Sequence, residues 1–312
     1  MKKAIILKHG GGELANQLWN HVSIYAYCLE KNFECENYSF FEYAHFFDIP
    51  PIKNKIIYSL FFRPFRNYVG RRSSFHTRFF RTLYKAYVFF VYVRKQGSII
   101  SSINSTNTPF YLPPSHLPKE SLLDTEKNNH TLYFDGWLFR NPDGIQKYRD
   151  KIIRYFTPKE FVRAKVQSVI LPLRKRFTHI VGVHIRHGDY ITFKDGRYFL
   201  ETSRVFEILK EYLNESGKQA EETVFVVTSD GDIAIDDFPG LNTIPVRGNA
   251  VEDLFTLGAT DIIIGSDSSY GNLAAYFGNI PHIVMTKEPI DWEYYRGKTT
   301  YSPAKYCTMV HY

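Results

Sequence analysis

The chain is short of three things. Cysteine is the first: 312 residues include only Cys28, Cys35 and Cys307, with no C-x-x-C spacing. So sparse and odd a set excludes a disulfide framework and a thiolate zinc site, and points to a reducing compartment. Long apolar runs are the second. The opening MKKAIILKHGGG places four apolar residues before Lys8, too few for a signal peptide and far too few to span a bilayer. A cytoplasmic location is therefore expected. Acid is the third, and its shortage is local. From Ile49 to Lys119 there is no Asp or Glu, against 12 Lys and Arg. Removing those 12 from the 39 basic residues leaves 27 against 32 acidic ones. The net charge of +7 thus belongs to this region, and the remainder carries −5.

The acid-free region contains SLFFRPFRNYVGRRSSFHTRFFRTLYKAYVFFVYVRK, in which Arg and aromatic residues interleave. Two readings stand side by side. One is an amphipathic helical layer with aromatic residues in its core and solvated arginines. The other is a surface for anionic lipid headgroups or a phosphate-bearing, lipid-linked acceptor, which places the protein peripherally at the inner face of the cytoplasmic membrane. No nucleic-acid-binding module accompanies the basic stretch, so no nucleic-acid partner is expected.

Elsewhere the composition is ordinary, 44% hydrophobic and 23% charged, which suffices for a sizeable core in each of two domains. KAIILKH (3–9) reads as a strand before a Gly turn. ANQLWNHVSIYAYCLEKN (15–32) spaces Leu18, Val22, Tyr25 and Leu29 as a helix. The pattern predicts helix across 53–95, punctuated by Pro64 and Gly70, and irregular chain over 97–131. One strand over 131–139 and helices over 144–156 and 157–176 follow. From residue 179, apolar strands alternate with helices, the mark of a parallel sheet covered on both faces. The expected class is α/β in two halves, 1–175 and 176–312, the first carrying the basic aromatic insertion.

In VGVHIRHGDYI (181–191) an apolar strand runs directly into His184, Arg186, His187 and Asp189. Ionisable groups at a buried strand end either face a ligand or pair locally. Ligands in open α/β sheets bind at the carboxyl ends of strands. Polar clusters at four such ends converge on that place: Lys8–Gln17, His184–Asp189, Ser229–Asp232 and Ser266–Ser269.

Four blocks, in order along the chain, carry a resemblance. They are GGELANQLWN (11–20), GVHIRHGDY, VFVVTSD and TDIIIGSDSSYGNLAAYFGN (260–279). Together they resemble the inverting fucosyltransferases, above all the bacterial α-1,2-fucosyltransferases of glycosyltransferase family 11. The resemblance implies a GT-B-like fold of two Rossmann-like halves with a central cleft. It also implies GDP-fucose as donor, a glycan acceptor on the N-terminal side, no metal or other cofactor, and a place in O-antigen or capsule synthesis. By position in those motifs, His184 and Asp230 contact guanine, and Asn16 and Gln17 position sugar or acceptor.

The chemistry suits these residues. Breaking the bond from fucose C1 to the β-phosphate builds negative charge on the leaving pyrophosphate, which a fixed cation and hydrogen-bond donors must stabilise. Arg186 supplies a planar fork for phosphate. Ser268 and Ser269 open a helix whose first amides form an anion site, although a plain N-cap would look the same. Capping is likewise the plain alternative for Asn16 and Gln17. Candidates for the proton acceptor are Asp189, Asp195 and Glu201, and Asp189 could instead orient Arg186. Three departures from the family pattern stand out. His187 replaces a second Arg, Glu13 and Ala15 replace glycines, and YGNLAAY replaces a tryptophan-bearing segment.

Three rival readings remain. Gly10, Gly12 and Ala15, with Glu34 or Glu36 about twenty residues on, fit a dinucleotide fingerprint. Asp230 and Asp232 form a D-x-D such as metal-dependent transferases use. A non-catalytic lipid- or glycan-binding relative is the third.

Overall fold

The structure, a computed structural model, describes residues 2–8, 12–67, 75–94, 98–103, 108–113, 122 and 130–303. The chain forms two compact units, the first running to Lys159 and the second beginning at Glu160. The helix Glu160–Arg174 thus clusters with the second unit.

Unit 1 is built on β1 (Lys3–Lys8), α1 (Leu14–Lys31), β2 (Glu34–Asn37), α2 (Phe75–Arg94), β3 (Ser98–Ser101) and β4 (Thr131–Asp135). The sheet order is β2-β1-β4-β3, all parallel. Successive residues of a strand face opposite sides, and β1 shows it. Ala4 and Ile6 pack with Ile24, Tyr27 and Cys28 of α1, whereas Ile5 and Leu7 pack with Tyr84, Val88 and Val91 of α2.

Two expectations for this unit need correction. The stretch read as irregular contains β3, whose apolar signal is only Ile99 and Ile100 between serines. The single strand read over 131–139 is two, β4 and Phe139–Arg140. Asn20 from α1 bridges the break: its Nδ2 donates to the Gly136 carbonyl at 3.1 Å and its Oδ1 accepts from the Phe139 amide at 3.2 Å. A side-chain amide thus substitutes for ladder bonds that the local pattern cannot reveal.

Unit 2 contains α3 (Glu160–Arg174), β5 (His179–Ile185), α4 (Thr202–Ser216), β6 (Thr223–Ser229), β7 (Asn242–Pro245), α5 (Ala250–Gly258), β8 (Ile262–Ser266), α6 (Ser269–Gly278) and β9 (His282–Met285). Its sheet order is β9-β8-β5-β6-β7, all parallel. In chain order within the unit this is 3-2-1-4-5, the doubly wound arrangement whose switch point lies between the first strand and the fourth, β5 and β8. Val181, Val183 and Ile185 face the α4 side with Phe225 and Val227, and Ile180 faces α3 with Val224 and Val226. Both faces are therefore buried, which explains why these strands read as continuous apolar runs.

Candidate functional site

The loops after β5 and β8 meet at the switch point. The Arg186 amide donates to Ser266 Oγ at 3.0 Å, tying the two strand ends together. The Arg186 guanidinium is held from two sides. Asp189 Oδ1 lies 3.0 Å from its Nε and 2.9 Å from its Nη2, and Asp230 Oδ2 lies 3.2 Å from Nε. Its carbon Cζ sits 5.4 Å from the centroid of the Tyr190 ring, whose hydroxyl donates to the Asp267 carbonyl at 2.7 Å. Burial opposes the guanidinium charge, but Asp230 and Asp189 outweigh it and raise its pKa. Nη1 makes no hydrogen bond to the described residues. The result is a permanent cation fixed in orientation at the sheet's binding end, with one nitrogen to spare.

Asp230, at the end of β6, does more than pair. Its Oδ1 accepts from the His187 amide at 2.8 Å and the Gly188 amide at 3.0 Å. Both of its oxygens are therefore engaged in shaping the loop that presents Arg186. Asp232 has a fully exposed side chain whose ion pair, at 4.0 Å, is with Arg247. The two carboxylates of the D-x-D pair thus make separate contacts.

His187 turns to the other side of its loop. Its Nε2 donates to the Leu200 carbonyl at 2.9 Å and its ring lies on Phe199, centroids 5.0 Å apart. The residue that stands where the family has a second Arg is therefore part of the packing between this loop and the start of α4.

His184 is buried at the end of β5, its ring against that of Tyr270 with centroids 4.9 Å apart. In the register, His184 lies opposite Gly265 of β8. A Cβ on Gly265 would stand 3.3 Å from His184 Cβ and 3.2 Å from His282 Nε2. The bare Cα lets His282, from the far side of β8, approach His184 over the strand. Burial, with Arg186 adding to it, lowers His184 to about 4, and burial with His184 lowers His282 to about 3. Both imidazoles are neutral near pH 7. His184 Nδ1 and both His282 nitrogens are buried without a hydrogen bond. His282 was not singled out from the sequence; a His inside the apolar strand IPHIVM was its only signal.

Ser268 is the N-cap of α6 and accepts from the Tyr270 amide at 3.2 Å. It is buried, and Ser269, the first helical residue, is half-buried. The capping reading thus describes Ser268, and the helix start also stands beside the Arg186 loop through Ser266 and Asp267. Asp195 and Glu201 are exposed; Asp195 has φ +56°, and Glu201 is the N-cap of α4 but makes no side-chain cap bond.

In unit 1, Asn16 and Gln17 lie in the first turn of α1. Neither caps it: the N-cap is Glu13, which makes no side-chain cap bond. Gly12 has φ +86°, and a Cβ there would stand 2.3 Å from Asn16 Nδ2, so this corner needs glycine twice over. Gln17 is 2% exposed, with neither end of its amide hydrogen-bonded. One turn on, His21 is buried among Phe40, Tyr155 and Phe156, its pKa lowered to about 3 by burial. Gly10 and Gly11 lie outside the described residues. The acidic residues of the dinucleotide fingerprint are engaged elsewhere, Glu34 with Lys53 at 2.7 Å and Glu36 with Lys3 at 2.5 Å.

The model of glycosyl transferase family 11 matches residues 132–290, just over half of the chain. The chain belongs to this family, and it is a glycosyltransferase. Among solved structures it is similar to a mutant of Arabidopsis thaliana FUT1 in complex with GDP, at 12% identity and a TM-score of 0.55, covering 92% of this chain and 72% of that one. It is also similar to POFUT1 in complex with GDP-fucose, at 12% identity and a TM-score of 0.52, covering 90% of this chain and 98% of that one. Curated proteins give no match. The fold class read from the sequence, GT-B-like with two Rossmann-like halves, is borne out.

Proposed function

We propose that the protein transfers fucose from GDP-fucose to a hydroxyl of a glycan acceptor with inversion at C1, and that it does so without a metal ion. The observation that carries this reading is the Arg186 cradle at the β5–β8 switch point. Arg186 meets the pyrophosphate through its Nη1 side as charge develops on the β-phosphate oxygen. Because Asp189, Asp230 and Tyr190 already hold the guanidinium, little reorganisation accompanies the reaction. The first amides of α6 add donors from the other strand end. His184, neutral at pH 7, offers an unprotonated nitrogen or an N–H to the nucleobase according to tautomer.

Asp189 acts first as the partner that orients Arg186. Both contacts to Arg186 fall on Oδ1, so the other carboxylate oxygen, Oδ2, receives the acceptor proton while Arg186 stays in place. Asn16 and Gln17 serve the acceptor. Their amides fit sugar hydroxyls as both donor and acceptor. An α-1,2 linkage to a galactoside, and a lipid-linked precursor of a surface polysaccharide as acceptor, are the readings that fit the family resemblance.

A thermal-shift panel tests the donor: GDP and GDP-fucose raise the melting temperature, while UDP, UDP-sugars and ADP do not. Transfer from GDP-fucose that persists in excess EDTA supports the metal-free reading. Activity abolished by EDTA and restored by Mn²⁺ would overturn it in favour of a metal-dependent transferase. Absence of both transfer and GDP-fucose hydrolysis would favour a non-catalytic relative.

A further inference from the structure

We propose that the outward face of α2 is a docking surface for an anionic lipid bilayer. A helix lying on a domain needs one apolar stripe, and α2 has two. The inner stripe, Tyr84, Val88 and Val91, is buried against β1 and its neighbours. The outer one is Phe75, Phe79, Leu83, Ala86, Phe90 and Val93, at successive spacings of 4, 4, 3, 4 and 3 residues. That spacing puts all six on one side of the helix, and at 3.6 residues per turn the side is the one away from Tyr84. Phe75 is 85% exposed, Val93 63%, Phe79 54% and Phe90 49%; Phe89, beside the stripe, is 70% exposed. Scattered exposed apolar residues are ordinary, but a continuous apolar row along five turns of helix, all of it large except Ala86, marks a face that another apolar phase covers.

Charge decides what that phase is. On the helical wheel Arg78 and Lys85 flank the row on one side and Arg94 on the other. Arg81 turns inward to Glu42, Nη2 to Oε2 at 2.6 Å. Arg78, Lys85 and Arg94 are exposed and form no ion pair with the described residues, and Arg94 lies 4.5 Å from the centroid of the Phe90 ring. The chain offers no acidic residue from 49 to 119 to complement them. A second copy of the same face would set these cations against their own kind. An anionic leaflet neutralises them and receives the phenylalanines below its headgroups. At 20 residues α2 is long enough to cross hydrocarbon. Its four Lys and Arg forbid that, and no described helix is long and apolar enough to cross a membrane. The helix therefore lies along the interface. Arg71 and Arg72, which the sequence places in the same basic stretch, lie outside the described residues.

The test is co-sedimentation of the full chain with vesicles of equal parts phosphatidylcholine and phosphatidylglycerol, and with vesicles of phosphatidylcholine alone. Neither donor nor acceptor is present, so the outcome is independent of the proposed reaction. Binding to the anionic vesicles, fading with added salt, is expected. The triple variant R78Q/K85Q/R94Q should bind about a hundredfold more weakly, roughly fivefold per charge removed. F79S/F90S should bind about tenfold more weakly or worse, with its melting temperature and its transfer to a soluble acceptor unchanged because both rings are outside the core. No binding by the wild type, or binding that F79S/F90S leaves intact, would overturn the proposal. A dimer that forms with concentration and is lost in F79S/F90S would overturn it too, by assigning the face to a second copy.

Discussion

The two sheets treat the corner after their first strand in opposite ways. In unit 2 the chain leaves β5 through a loop in which charged groups hold one another: Arg186 between Asp189 and Asp230, with Asp230 also gathering the amides of His187 and Gly188. In unit 1 the first two turns of α1 bury Gln17 and His21 with no hydrogen bond on either side chain. Leaving such groups unsatisfied costs on the order of 1–3 kcal/mol each. One corner is an electrostatic cradle that is complete before any ligand arrives. The other is a neutral polar pair that its own fold does not use. In the proposed reaction the cradle is the part that meets developing charge, whereas the neutral Gln17 amide suits the uncharged hydroxyls of an acceptor.

The largest effect that could break this contrast is at the cradle. Arg186→Ala should lower kcat by roughly 10²–10³, the loss seen when a preorganised donor to developing charge is removed. Its melting temperature should change little. Arg186→Lys should not restore the rate, since an ammonium cannot meet two carboxylates and a phosphate as a fork does. A wild-type kcat in the alanine variant contradicts the role.

Asp230→Ala comes next. Two amides and one guanidinium nitrogen lose an acceptor, so the KM for the donor should rise about tenfold with some loss of stability. An unchanged KM with unchanged melting temperature would mean that the loop keeps its shape without Asp230.

The buried imidazoles give a pH dependence. The folded-state values of His21 and His282, about 3, and of His184, about 4, lie below the ordinary 6.5. The unfolded chain therefore binds more protons in acid. Stability is fully present above pH 6.5 and is lost as pH falls toward 4, by up to about 1.4 kcal/mol per pH unit for each histidine. Asp253 opposes this: burial raises it to about 6, so its contribution grows as pH falls from 6 toward 4. His21→Phe should flatten the acid limb in urea titrations at pH 5 and pH 7. An unchanged slope would mean that His21 is not buried neutral.

Gln17→Leu sharpens the other side. If the amide serves only the acceptor, stability should hold within about 1 kcal/mol or improve, while the acceptor KM rises and the donor KM does not. Smallest of all, Asp232→Ala should stay within about 0.5 kcal/mol in stability, as for an exposed surface residue, with near-normal kinetics.

Much of unit 2 was legible because each strand is apolar throughout and each helix periodic, so local pattern and tertiary burial agree. The strand ends then named Arg186, Asp189, Asp230 and Ser268 without a structure. What the sequence could not convey was who holds whom. Asp230, matched to a base-contacting carboxylate, is engaged on both oxygens by the loop and Arg186. His187, matched to a second cation, is bonded to Leu200. Both depend on contacts 13 to 43 residues apart, which no local pattern encodes. His282 was invisible for a related reason, since its approach to His184 exists only because Gly265 leaves a gap between their strands. In unit 1, β3 was missed because Ile99 and Ile100 alone carry its signal and pairing with β4 supplies the rest.

The central claim is that this chain's own residues, with Arg186 at their centre, hold the donor's pyrophosphate. Calorimetric titration of GDP into wild-type protein and into Arg186→Ala, both in excess EDTA, tests it most directly. Saturable binding by the wild type and its loss in the variant, with both proteins folded by circular dichroism, is the predicted result. Equal binding by the two proteins, or wild-type binding that appears only after a divalent metal is restored, would contradict it.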